Sequence, residues 1–218
     1  MKRKYIQHAA TAAAVLASVC LIGCGTTAGY KQADKTGQGI ADFRQEITKA
    51  KQAVDDTVSA LGQVAVTANT NPREAFQTFS KSLANLESAA ERARKRADDM
   101  RAKGQAYFNQ WQQEMVQVKN PDIRKLAEER KAKLQASFDN IKKYSEPLKT
   151  QFDAWMSDLK DLKTYLGNDL TVTGVDAAKS LFAKAQSEGF EVQKSMDGLI
   201  AELNTVAATV TPAEVKAE

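Results

Sequence analysis

The residue to which the sequence assigns a definite chemistry is Cys24. It ends the run Leu21-Ile22-Gly23-Cys24, in which a small residue precedes the thiol and an aliphatic residue stands three positions before it. Such a thiol can carry a diacylglycerol as a thioether, and the small Gly23 would let a peptidase reach the bond that precedes Cys24. Cys20 does not fit the pattern because the bulky Val19 precedes it. The sequence therefore predicts that Cys24 is lipidated and is the first residue of the mature chain.

The segment before Cys24 is typical of a secretory signal. Lys2, Arg3 and Lys4 are followed by an uncharged, alanine-rich stretch over residues 9–23. An uncleaved anchor is the alternative, but a membrane-spanning helix needs about 20 apolar residues and this stretch is shorter. We therefore predict a lipoprotein signal peptide over residues 1–23 and a polar tether over residues 24–39. Gly25 is not the Asp associated with retention in the inner membrane, so the expected location is the outer membrane, facing the periplasm.

The mature chain would lack the residue types on which most catalytic sites depend. The sequence holds one His and two Cys, and cleavage before Cys24 removes His8 and Cys20. This loss excludes a histidine-assisted serine triad, a free cysteine nucleophile and an ordinary zinc site. No glycine-rich phosphate loop is present. We predict no cofactor, no metal and no enzymatic activity.

Chemistry based on carboxylates alone is the remaining enzymatic alternative. The dense acidic pairs are Asp98 with Asp99 and Glu128 with Glu129. Adjacent residues on a helix point about 100° apart, so neither pair converges on a substrate.

Charge also disfavours nucleic acid as a partner. Removing three of the 31 basic residues, and none of the 27 acidic ones, lowers the formal charge from +4 to +1.

Apolar residues recur at steps of three and four, which predicts four long helices. Asn71-Pro72 and Asn120-Pro121 read as an N-cap followed by proline at the first helical position. Pro147 lies inside the third apolar stripe and predicts a kink. The stripes assign core positions that include Ile123 and Leu126 in the third helix, and for the first helix the core positions are Ile40, Phe43, Ile47, Ala50, Val54, Thr57, Leu61, Val64 and Ala68.

Short connections between these helices predict an all-α fold, an elongated antiparallel up-down-up-down four-helix bundle or coiled-coil rod over residues 40–210. Residues 211–218 are predicted to be a frayed tail. The second and third helices, of about 45 residues each, would be rods of roughly 70 Å. Helices one and four should end short of their tip, so that residues 107–130 project far from the anchor.

That tip is the predicted site for binding a partner. It carries the aromatic and soft side chains Tyr107, Phe108, Trp111 and Met115, which are types enriched at interfaces. The alternative is that these four residues only close the end of the bundle.

A series of residues recurs in a known order along the helices: Phe108-x-x-Trp111-x-x-Glu114, Asn120, Arg124, Arg130, Glu146-Pro147-Leu148, Leu159, Leu162-Lys163 and Ser180-Leu181. This order resembles a family of proteobacterial lipoproteins catalogued as domain of unknown function 2959. The resemblance covers most of the mature chain and implies a fold and a compartment, but no substrate or ligand. Lys163-Thr164-Tyr165-Leu166 stands where the family has a Lys-His-Asn-Leu-like run, so no family histidine is carried over.

Two classes of function remain open. The first is a non-enzymatic structural or protein-interaction role, as an adaptor or scaffold held to the membrane by its N-terminal lipid and contacting another envelope protein. The alternative is a module that binds a lipid or apolar ligand between helices, where Gly104 and Gly189 would leave space. A bundle edge with regular heptads could also pair with a second copy of the chain.

Overall fold

The fold is an all-helical antiparallel bundle, seen in a computed structural model that describes residues 28–210. Cys24, the predicted signal peptide over residues 1–23 and the predicted tail over residues 211–218 lie outside the described residues. The four long helices run up-down-up-down, as predicted, and a short fifth helix precedes the last of them. The helices are α1 (Ala28–Val66), α2 (Pro72–Met115), α3 (Pro121–Asn168), α4 (Val172–Ala177) and α5 (Lys179–Val210).

A continuous apolar core runs along the bundle. Every core position predicted for the first helix is buried, including Thr57, whose hydroxyl donates to the carbonyl of Ala53 at 2.7 Å. On α3, Trp155 is buried and its indole Nε1 donates to the carbonyl of Ala185 on α5 at 2.7 Å. These two buried polar groups therefore find partners without interrupting the apolar seam.

Local signals set the helix boundaries where the sequence predicts them. Asn71 caps α2, and its side-chain oxygen accepts from the amide of Glu74 at 3.4 Å. Asn120 caps α3 in the same way, accepting from the amides of Asp122 at 2.8 Å and Ile123 at 3.2 Å. The third helix continues through Pro147 to Asn168.

The predicted tether over residues 24–39 is wrong for residues 28–39, because α1 begins at Ala28 and not at Ile40. Ala33 and Thr36 are buried against α2, and a Cβ atom added at Gly39 would lie 3.5 Å from the Cα atom of Met100. Three glycines and many polar residues give this segment a weak intrinsic helix propensity. Packing against a neighbouring helix supplies the stability that propensity does not.

The two ends of the rod differ in structure. We call residues 64–72 and 165–178 the closed end, where the α1 to α2 turn meets the connection through α4. Val64, Leu166 and Val175 are fully buried there. We call residues 112–131 the open end, where α2 turns into α3. Ile123 and Leu126 lie at the open end and are 51% and 65% exposed, so their assignment to the core is wrong.

Candidate functional site

The start of α1 lies at the open end of the rod. A Cβ atom added at Gly29 would lie 2.9 Å from Oε2 of Glu114. Further along, the side-chain amide of Gln32 donates to the carbonyl of Lys103 at 3.3 Å, and the Thr36 hydroxyl lies at the same distance from that oxygen. The first helix therefore starts beside the last turn of α2. This position contradicts the prediction that residues 107–130 project far from the anchor.

The four residues predicted to bind a partner form the interior of this end. Tyr107 is buried, whereas Phe108, Trp111 and Met115 are half-buried. Their rings pack edge to face, with centroids 5.7 Å apart for Tyr107 and Trp111 and 5.4 Å apart for Phe108 and Phe138. Burial raises the pKa of the Tyr107 hydroxyl, against the opposing effect of the nearby Arg130 charge. The structure thus brings the aromatic residues together, and their role in binding a partner stays a prediction.

A different set of apolar side chains faces solvent at the open end. Val116 is 75% exposed, more than either Ile123 or Leu126. The reason is length: α5 ends at Val210, and Arg130 already donates to the carbonyl of Thr209 at 2.6 Å. No described part of α5 therefore covers the hairpin beyond this level, and α1 reaches only to Glu114. Sequence periodicity assigns a face to each residue but does not tell which helix lies opposite.

Basic residues surround these exposed apolar side chains. Residues 116–126 contain Lys119, Arg124 and Lys125 and one acidic residue, Asp122. All four are exposed. Within residues 28–210, none of the three basic side chains forms an ion pair. Residues 116–126 of the open end are therefore apolar and cationic, and the exposed carboxylates of Glu128 and Glu129 follow one helical turn further along α3.

A groove separates α2 from α3 along the middle of the rod. It encloses about 1020 Å³, and a further 690 Å³ continues it toward the closed end, with Ala90, Arg94 and Phe152 lining both parts. These two helices contact each other far less than either contacts its other neighbour. The wall contributed by α2 combines Ala90, Ala93 and Ala97 with larger apolar, polar and charged side chains. The apolar lining of the groove includes Phe43, Ile47, Ala93, Ala97, Ile141, Leu148, Met196 and Leu199.

The predicted space at the two glycines is absent. A Cβ atom added at Gly104 would lie 2.6 Å from the Phe138 ring, and one added at Gly189 would lie 2.4 Å from Val58 and 3.0 Å from Trp155. Neighbouring side chains fill both positions, so the prediction of a cavity there is wrong. The groove instead forms beside Ala93 and Ala97. The alanines at positions 93 and 97 can be read from the sequence, but the separation of α3 from α2 cannot.

Glu46, Asp98 and Asp99 form ion pairs with neighbouring basic side chains. Glu46 on α1 accepts from Lys49 at 2.7 Å and from Arg92 on α2 at 3.3 Å. The hydrogen bond from Lys49, with both neighbouring positive charges, lowers the pKa of Glu46 against the opposing effect of burial. Arg101 pairs with Asp98 and Arg96 with Asp99 on the surface of α2, so this predicted acidic pair does not converge. Among residues 28–210, no cluster of three or more His, Cys, Asp or Glu could hold a metal ion.

Helix hydropathy gives one further result. None of the helices within the described part of the chain combines the length and the apolar character that crossing a membrane requires.

Comparison with known proteins identifies a family. The model of a family described as "Protein of unknown function (DUF2959)" matches residues 25–210. No curated protein and no solved structure matches the chain. Because the family model covers most of the chain, the protein belongs to this family.

Proposed function

We propose that this DUF2959 protein is a lipoprotein of the cell envelope, anchored by lipid at Cys24, with a non-enzymatic structural or protein-interaction role. The observation that carries the proposal is the lipidation motif at residues 21–24, which stands four residues before α1 begins. An acyl group on Cys24 would be joined almost directly to a rigid rod. Several acyl chains would hold such a protein durably, because each buried methylene contributes about 0.8 kcal/mol.

The rod then acts as a spacer. The first helix has 39 residues, which at 1.5 Å per residue corresponds to about 58 Å between its start and the closed end. Val66 and Val172 are exposed at the closed end, 76% and 42% respectively. We propose that this end, together with the adjoining helix faces, contacts another protein of the envelope. We propose the outer membrane, with the rod in the periplasm, as the location.

The anchor is tested by changing each cysteine of the sequence. Cys24→Ser should leave a precursor that incorporates no radiolabelled palmitate and is not shortened by the lipoprotein peptidase. Cys20→Ser is the matched control, since Cys20 lies outside the motif, and it should be labelled and processed as the wild type is. A Cys24→Ser protein that is processed normally and retained in the membrane would contradict the proposal.

The interaction role is tested by photocrosslinking in living cells. A photoreactive amino acid at Val66 should capture a discrete envelope protein, whereas one at Lys95, exposed in the middle of α2, should not. Equal and diffuse labelling from both positions would count against an adaptor that uses the closed end.

The groove favours a second candidate function, the binding of a lipid or apolar ligand. Its volume is in the range of small-molecule sites and its floor is apolar. Charged residues of both signs line it, and Arg94 and Arg101 are paired with Asp153 and Asp98. An acyl chain along the floor would fit this chemistry. The ligand would occupy the space beside Ala93 and Ala97.

A fluorescent fatty acid provides the test. Ala97→Trp adds an indole inside the groove and should weaken binding of the fatty acid about tenfold or more. Ala102→Trp is the matched control, because Ala102 is exposed on the same helix outside the groove and should bind as the wild type does. Undiminished binding by Ala97→Trp would exclude the groove as the site.

A further inference from the structure

We propose that the open end of the rod is a membrane-contact surface: Val116, Ile123 and Leu126 enter the lipid interface, and Lys119, Arg124 and Lys125 bind anionic headgroups. This inference rests on the proposed lipid anchor at Cys24. It adds an orientation, since it places the α2 to α3 turn at the bilayer and the closed end away from it.

The first argument is the position of the anchor relative to the turn. Three residues lie between Cys24 and Ala28, and the four steps from one Cα atom to the next span at most about 14 Å. Gly29 lies against Glu114, and α2 ends at Met115, so the turn begins immediately beyond the start of α1. Acyl chains inserted from Cys24 would therefore hold the open end within about 14 Å of the headgroups.

The second argument is the chemistry of this end. Three branched aliphatic side chains are more than half exposed within residues 116–126. Inserting them into the interface would remove apolar surface from water, as an interfacial helix does at a depth of about 5–10 Å. Tyr107, Phe108 and Trp111 pack against one another on the last turns of α2, just before the hairpin.

The third argument is charge. Lys119, Arg124 and Lys125 are exposed around the apolar side chains and form no ion pair within the described residues. Clusters of Lys and Arg next to a membrane anchor are attracted to anionic lipids. Glu128 and Glu129 lie one helical turn further along α3, so the excess of positive charge is confined to residues 116–126. A basic and apolar segment beside an acyl anchor matches a bilayer more closely than it matches a folded protein, whose interface core is depleted of Lys.

The test uses the acylated protein reconstituted in vesicles of phosphatidylethanolamine and phosphatidylglycerol. A single cysteine is introduced as Leu126→Cys at the open end or as Val66→Cys at the closed end, and is labelled with a polarity-sensitive nitrobenzoxadiazole probe. The native Cys24 does not react once it is a thioether. Val66 is the matched control for Leu126, because both side chains are aliphatic and their exposed fractions are similar, 76% and 65%.

We expect the Leu126 probe to shift its emission to the blue and to brighten about threefold on vesicle binding, because it would lie some 5–10 Å inside the interface. Nitroxide-labelled lipids should quench it, and the Val66 probe should change little. Replacing phosphatidylglycerol with phosphatidylcholine should reduce the response. The Lys119→Gln, Arg124→Gln and Lys125→Gln triple variant should reduce it in the same way.

Each contrary result has a distinct meaning. An acylated, vesicle-bound protein in which both probes stay in a water-like environment would overturn the orientation and leave the anchor intact. A blue shift of the Leu126 probe that appears without vesicles and grows with protein concentration would assign the surface to a second copy of the chain and overturn lipid contact. A protein whose N-terminal peptide carries no acyl chain would overturn the proposed function and this inference with it.

Discussion

The helical bundle terminates differently at its closed and open ends. At the closed end the connection folds back on the core: the Tyr165 hydroxyl donates to the carbonyl of Gly174 at 3.0 Å, and Asp169 accepts from the Thr171 hydroxyl at 2.6 Å. At the open end the hairpin extends beyond both neighbouring helices and leaves Val116 and Leu126 in solvent. The connection at the closed end packs on the core and leaves only single apolar side chains such as Val66 exposed, whereas the hairpin at the open end extends into solvent with several of them.

The largest expected effect compares one leucine from each end. Leu166→Ala removes a fully buried side chain at the closed end and should lower the free energy of unfolding by about 3 kcal/mol, through lost burial and a residual cavity. Leu126→Ala at the open end should change it by less than about 0.5 kcal/mol. Urea unfolding followed by circular dichroism measures both. Similar losses for the two variants would show that the open end is part of the folded core.

Glycines give a second comparison, now within one helix. Gly189→Ala places a methyl group against Val58 and Trp155, and we expect a loss of about 1–2 kcal/mol from overpacking despite the better helix propensity of alanine. Gly198→Ala is the control, since its nearest neighbour is Tyr144 at 3.5 Å, and it should stabilise the protein by up to about 1 kcal/mol. Thermal unfolding would distinguish them, and a stabilised Gly189→Ala variant would contradict the close packing at that point.

The two asparagine caps compare the ends through one kind of interaction. Each cap contributes about 1 kcal/mol locally. Asn71→Ala at the closed end should therefore lower global stability by about that amount, because the α1 to α2 turn packs on the core. Asn120→Ala should instead raise amide hydrogen exchange around residues 116–126 with little global change, since this hairpin can open by itself. Equal global losses would mean that the two ends unfold as one unit.

The smallest expected change in unfolding free energy is that of Glu46, which lies midway along the rod and belongs to neither end. Because the pKa of Glu46 is lowered in the folded protein, its ion pairs with Lys49 and Arg92 stabilise the fold at a pH above the ordinary carboxyl value near 4.5. This contribution is lost as the pH falls through the lowered pKa. Glu46→Gln should cost about 0.5–1 kcal/mol at neutral pH, because Lys49 and Arg92 are half exposed.

The pH dependence provides the check on this value. The difference between wild type and Glu46→Gln should shrink as unfolding is measured below pH 4.5. Asp98→Asn, which removes an exposed pair with Arg101 on one helix, is the control and should have almost no effect. A cost of Glu46→Gln that is independent of pH would argue against the ion pairs as its origin.

The sequence is sufficient for the parts of the fold that depend on local signals and on periodicity. Asn71 and Asn120 act as caps whatever surrounds them, and the stripe from Ile40 to Ala68 is buried because a heptad seam must face another helix. The glycine and polar residues at positions 28–39 are typical of a linker, so the sequence predicts a tether there. Packing on α2 makes this segment helical instead. Ile123 and Leu126 continue the apolar stripe of α3 beyond the level at which a neighbouring helix packs against it.

The groove could be found only from the structure. Ala93 and Ala97 show that α2 carries small residues, yet the separation of α3 depends on how all four long helices pack. The antiparallel order, by contrast, already implies that the start of the first helix lies near the turn between the second and third. The structure places that start, at Ala28, beside Glu114, so the proposed anchor at Cys24 would be joined to the open end.

The most direct test of this account is energy transfer from each end of the rod to acceptor-labelled lipids. With donors at Leu126 and Val66 of the acylated protein in vesicles, the account predicts strong transfer from Leu126. It predicts weak transfer from Val66, held up to about 58 Å farther from the bilayer by the length of α1. Equal transfer from the two positions, or stronger transfer from Val66, would contradict the assignment of the open end to the membrane.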